Sequence, residues 1–253
     1  MVRNDLNTWF NLPVFLSELL GLYILVLGGL FSTYLAIGKL NKFKYTYAFF
    51  YSFFTLISFL IAWIILNSFN NFSLLKMPII NPINFIITFI NYIKVEQNFM
   101  ILKSLLFIIT SHVLAFICAA LTYKLIIKYF KIKDSEKVHS KTKFNKKEFY
   151  LLVLYTMILV VFICIIQYLF VTKFNLIKPV ISGIIISIFT LVILIISTNH
   201  SYFSTNIFMV STSYFYSILN KTIKNRNYYK YALNILFHIL ISIIVSLIFA
   251  YIF

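Results

Sequence analysis

Apolar runs of more than about 18 residues recur from one end of this chain to the other, and no other feature restricts its fold so tightly. Backbone N–H and C=O groups in hydrocarbon have no water to bind. A spanning segment must therefore satisfy them internally, as a helix or as part of a closed barrel. Barrel strands alternate apolar and polar residues, and these runs have no period-two alternation. The expected fold is an all-α polytopic transmembrane bundle. With 62% hydrophobic and 11% charged residues among 253, the composition lies well away from that of a soluble domain.

Six runs stand out, at roughly 12–38, 46–70, 99–128, 149–172, 178–199 and 229–253, each long enough to cross about 30 Å of hydrocarbon. Two shorter apolar pieces leave the count between six and eight. The piece at 79–93 contains Asn81, Pro82, Asn84 and Asn91 and suits an interfacial or re-entrant segment. The piece at 202–219, "YFSTNIFMVSTSYFYSIL", is rich in Ser, Thr and Tyr. It can lie at the interface, extend the fifth helix or form another span. No Pro- or Gly-rich linker divides the chain, which reads as one transmembrane domain over 1–253.

The formal charge of +16 would suit a nucleic-acid ligand in a soluble protein. Here the basic residues lie between apolar runs, so they are read as loop lysines that set topology, with no nucleic-acid partner. With six spans, Lys39, Lys42 and Lys44, the run from Lys131 to Lys147, and Lys221, Lys224 and Arg226 all fall on one side. The opposite loops hold Lys76, Lys94 and Glu96, then Lys173. The inner side is then the basic one, with both termini outside. Cys118 and Cys164 lie in apolar runs without metal spacing and are read as packing residues.

Charge inside a bilayer is costly, so ionisable residues within spans are functional candidates. Glu18 is the one acid inside any expected span; His112 lies near the centre of the third and His238 well inside the sixth. Lys103 falls in the first turn of the third span, and Lys178 opens the fifth beside Pro179. Each also has a plainer role. The lysines can snorkel to the interface, a neutral histidine can be a hydrogen-bonded packing residue, and Glu18 can pair with a cation on another subunit. No HEXXH helix, Gly-rich phosphate loop or hydrolase constellation is present, and no arginine lies within a span. The expectation is a chain without cofactor, metal or self-contained catalytic site.

Four short stretches resemble, in order, the antiporter-like subunit 2 of NADH dehydrogenase, respiratory complex I. "FLSELLGLYILVLGG" (15–29) is similar to that family's first helix, and "VEQNFMILKSLLFI" (95–108) to its third-helix entry. "EFYLLVL" (148–154) resembles the start of its fourth helix and "YYKYALNILFHILIS" (228–242) that of its sixth. The resemblance implies a membrane-arm subunit that helps conduct protons while redox chemistry occurs elsewhere. It makes Glu18, Lys103, His112, His238 and Lys178 the candidate polar elements of that path.

Two departures qualify the likeness. The family's fifth helix carries a buried glutamate, whereas the fifth span here offers Lys178 and no acid. The family's later lysine-bearing helices have no counterpart before Phe253. The resemblance therefore implies the amino-terminal half of a split or shortened subunit, partnered by lipids, other membrane subunits and a chain that supplies the remainder.

Phe 29 and Tyr 18 against Gly 5 and Pro 4 is the bias of AT-rich coding, and no cleavable presequence precedes the first span. Together these point to an organelle-encoded protein of the mitochondrial inner membrane. A rival likeness is to cytochrome c oxidase subunit 3, through "KYALNILFHILISIIVSLIFAYIF" (230–253) with His238, and His200 upstream. A lineage-specific structural subunit without proton conduction is the third reading. A stand-alone transporter should show Gly- or Pro-broken helices at mid-membrane, and these spans do not.

Overall fold

The structure, a computed structural model, describes residues 12–37, 45–69, 78–80, 86, 89–90, 101–130, 150, 154, 157–158, 160–162, 165, 178–196 and 228–252. Five long helices account for most of them: α1 (Leu12–Ile37), α2 (Thr46–Ser68), α3 (Ile101–Tyr129), α4 (Lys178–Ile196) and α5 (Tyr228–Ile252). Three stretches, Leu12–Ala36, Thr46–Ser68 and Leu106–Tyr129, are long and apolar enough to cross a membrane, and Val180–Ile196 and Ile235–Ile248 are shorter apolar helices. These lie on five of the six apolar runs. The piece at 202–219 lies outside the described residues.

Prolines sit where helices tolerate them. Pro13 and Pro179 occupy the first turns of α1 and α4, where a missing N–H leaves no intrahelical bond unmade. The helices then pack through small residues, as expected where lipid and core are equally apolar and close backbone approach supplies the attraction. On α1, Ser17 Oγ donates to the Ala62 carbonyl of α2 at 2.8 Å. Further along, Gly28 faces Phe54 so closely that a Cβ there would lie 2.2 Å from the ring. α1 and α2 are thus antiparallel.

The pairing of α1 with α3 runs the other way. Phe15 meets Phe107 with ring centroids 5.0 Å apart, and Phe31 meets Tyr123 edge-on at 5.5 Å. Ala115 and Ala119 of α3, fully buried between these contacts, let the two helices close up. α4 docks on the remaining side of α2: Gly183 lies against Phe59, and Ser187 Oγ donates to the Ser52 carbonyl at 2.8 Å. That bond adds to a carbonyl within a helix, so Ser187→Ala should cost only about 0.5–1 kcal/mol, measured as unfolding free energy in mixed micelles.

Contacts therefore run α1, α3 and α4 in one direction and α2 in the other. The chain between α3 and α4 must return to the end where α3 began. The helical residues described between 150 and 165 lie on that return, and Phe162 stacks on Phe189 of α4 at 4.2 Å. One expectation is corrected here. Cys118 faces outward from α3 and is exposed, because the α1-facing stripe is occupied by Ala115 and Ala119. Cys164 lies outside the described residues.

Candidate functional site

The site begins with two prolines. In "PIINP", Pro78 and Pro82 lack backbone N–H groups and disfavour the α conformation at the residues before them, Met77 and Asn81. Residues 78–80 are accordingly not helical, yet all three are buried, with Ile79 at 4% and Ile80 at 5% exposure. Irregular backbone at membrane depth is tolerated where protein buries it and its polar groups find partners.

Glu18 is that partner. Its Oε1 accepts the Ile79 N–H and its Oε2 the Ile80 N–H, each at 2.6 Å. Two successive amides gripping one anion make a concave backbone site of the kind used for carboxylates and phosphates. The grip coincides with an unusual backbone: Ile80 has φ of 44°, the left-handed region, where a β-branched side chain is crowded. Gly21, on the next turn of α1, provides the room. A Cβ at Gly21 would lie 2.8 Å from Ala62 Cβ and 3.1 Å from the Ile80 side chain.

His112 of α3 completes the arrangement, its Nε2 2.9 Å from Glu18 Oε2. With Glu18 as a carboxylate, which only accepts, Nε2 is the donor in this contact; with Glu18 as an acid, its O–H donates to Nε2. Glu18 and His112 are each only 1% exposed. An unpaired charge at that depth would be expensive, and a proton on His112 turns the two side chains into a neutral pair. Ser17 anchors α1 to α2 beside Glu18, so four segments (α1, α2, α3 and 78–80) converge within one turn of α1.

Beyond this site the described side chains between α1 and α3 are mostly apolar. Leu22, Leu25, Val26, Ala115 and Ala119, all buried, follow along α1 and α3. Further along, the Tyr23 hydroxyl of α1 donates to Thr122 Oγ1 of α3 at 3.2 Å. From His112 to Thr122 the rise along α3 is roughly 15 Å. On α2 three hydroxyls are turned onto carbonyls of their own helix, Ser52 to Ala48, Thr55 to Tyr51 and Ser58 to Thr55.

Of the residues singled out from sequence, Glu18 and His112 meet, although 94 positions separate them. Lys103 falls in the first turn of α3, Lys178 is the first residue of α4, and His238 belongs to α5; their side chains lie outside the described residues. Among the described residues no three His, Cys, Asp or Glu side chains converge as a metal ion would require. The sequence reading did not find the backbone amides of Ile79 and Ile80. Their signal was the pair of prolines in an apolar stretch, which promises unbonded N–H groups that a buried acid can take.

Comparison with family models, curated proteins and solved structures gave no match to the chain.

Proposed function

We propose that this chain is a membrane-arm subunit of mitochondrial respiratory complex I, similar to the amino-terminal half of antiporter-like subunit 2. It spans the inner membrane about six times alongside lipids, other membrane subunits and a chain that supplies the remaining helices. The observation that carries the reading is the buried Glu18–His112 contact, 2.9 Å long, between the first and third spans. An acid and a histidine facing each other inside a bilayer are costly to keep and well suited to hold and pass a proton. The common direction of α1, α3 and α4 is the alternation that six spans require. Lys103, Lys178 and His238 remain further candidates for the path, which would join this site to other subunits.

A second reading is favoured by a specific observation. Both Glu18 oxygens are committed to the backbone of 79–80, and an apolar layer separates the pair from Tyr23 and Thr122. On that reading the chain is a structural subunit, and Glu18 holds a buried turn without conducting protons. Proton pumping by the assembled complex separates the two. Glu18→Gln and His112→Phe are expected to lower pumping at least several-fold with the complex still assembled. Unchanged pumping leaves the structural reading standing, and comigration with the oxidase on a native gel, or with neither complex, overturns the complex I assignment.

A further inference from the structure

We propose that the side of α3 turned away from α1 is a binding stripe for an anionic phospholipid. Lys124 and Lys128 hold its phosphate, and its acyl chains lie along the leucines before them. The proposal rests on the helices spanning a bilayer and on no particular complex.

The stripe follows from how α3 meets α1. Ala115, Ala119 and Tyr123 are buried, recur every four residues and form the α1-facing side. At 3.6 residues per turn, the opposite side carries Leu114, Cys118, Leu121 and Leu125, and all four are exposed. Lys124, half-buried, and Lys128, exposed, end that side one turn apart. No acid occurs anywhere in α3.

Two observations put the lysines at the level of lipid phosphates. α3 has 29 residues and rises roughly 43 Å, against about 30 Å of hydrocarbon, so it must reach into the headgroups. The lysine end also carries an aromatic belt. Tyr129 is 82% exposed and Phe130 66%, their rings edge-on at 5.2 Å, as at a membrane–water interface. Lysine stems there lie on apolar surface while the ammonium groups reach outward. A cation in the last turn also suits the negative end of a helix, which is reason enough for Lys128. That effect fades within a turn and does not account for Lys124.

Charge selects the occupant. A zwitterionic headgroup brings its own cation toward the two lysines, whereas an anionic one brings only the phosphate. A second copy packed side by side through this stripe would set like lysines against each other, with no acid on α3 to separate them.

Cys118 gives a local readout, because it stands on the stripe roughly 9 Å along α3 from Lys124. The test places a fluorophore on Cys118 of the full chain, with Cys164→Ser, in phosphatidylcholine liposomes. Quenching is titrated with phosphatidylglycerol or phosphatidylcholine brominated on the acyl chains. Half-maximal quenching is expected at a mole fraction at least about threefold lower for the phosphatidylglycerol. Lys124→Gln with Lys128→Gln should make the two lipids equal, and Lys128→Gln alone, at an exposed position, should already narrow the difference. Equal quenching in the wild type overturns the site. A preference that survives both glutamine variants also overturns it and assigns the attraction to lysines elsewhere at this end. A label that neither lipid quenches overturns it too, and flotation with the liposomes then shows whether the bilayer reading stands (the chain floats) or falls with it.

Discussion

Replacing Glu18 with leucine is expected to destabilise the bundle by about 3–5 kcal/mol, the largest effect of any polar substitution among the described residues. Leucine roughly preserves volume, so the loss comes from donors. The Ile79 and Ile80 amides and His112 Nε2 all end on this carboxylate, and each is buried. A buried donor without a partner costs about 1–3 kcal/mol, and no other acceptor follows Glu18 for a full turn of α1. Glu18→Gln keeps one oxygen acceptor and should lose less, about 1–3 kcal/mol. Unfolding free energies of the two variants in mixed micelles check the order. Equal losses would mean that the one acceptor oxygen kept by Gln contributes nothing.

The second large effect is steric. Gly28→Leu should force α1 and α2 apart, because even a Cβ would stand 2.2 Å from Phe54 Cγ and 2.5 Å from its Cβ. Phe54 Cβ is tied to the α2 backbone and cannot swing away, so the helix axes must separate. The cost is expected at about 3 kcal/mol, at the upper end for an overpacked core. Phe54→Ala in the Gly28→Leu background removes the obstruction and should recover most of the loss. Failure of that rescue would show that α1 and α2 do not meet at this position.

The helical fold could be read from the chain because long apolar runs leave so few options. A long apolar run without alternation has to be helical, and the runs from 12, 46 and 178 begin where α1, α2 and α4 begin. Glu18 and His112 stood out for a related reason: charge within a span is rare. Their meeting was not readable, since it depends on α1 and α3 lying side by side through Ala115 and Ala119, and alanines at helical spacing are common in any bundle. Cys118 was misread for the same reason. Apolar surroundings in sequence do not say which face of a helix meets protein and which meets lipid. The left-handed Ile80 lay furthest from prediction, because its conformation is imposed by a carboxylate more than sixty residues away in sequence.

The central claim is that Glu18, His112 and the 79–80 turn form one bonded unit in the buried interior of the bundle. A double-mutant cycle tests it most directly, using unfolding free energies in mixed micelles for Glu18→Gln, His112→Leu and the double variant. The bonded arrangement predicts a coupling of about 1–3 kcal/mol, with the second substitution costing far less once the first is made. Losses that add to within about 0.5 kcal/mol would mean that the two side chains do not touch, and would contradict the account.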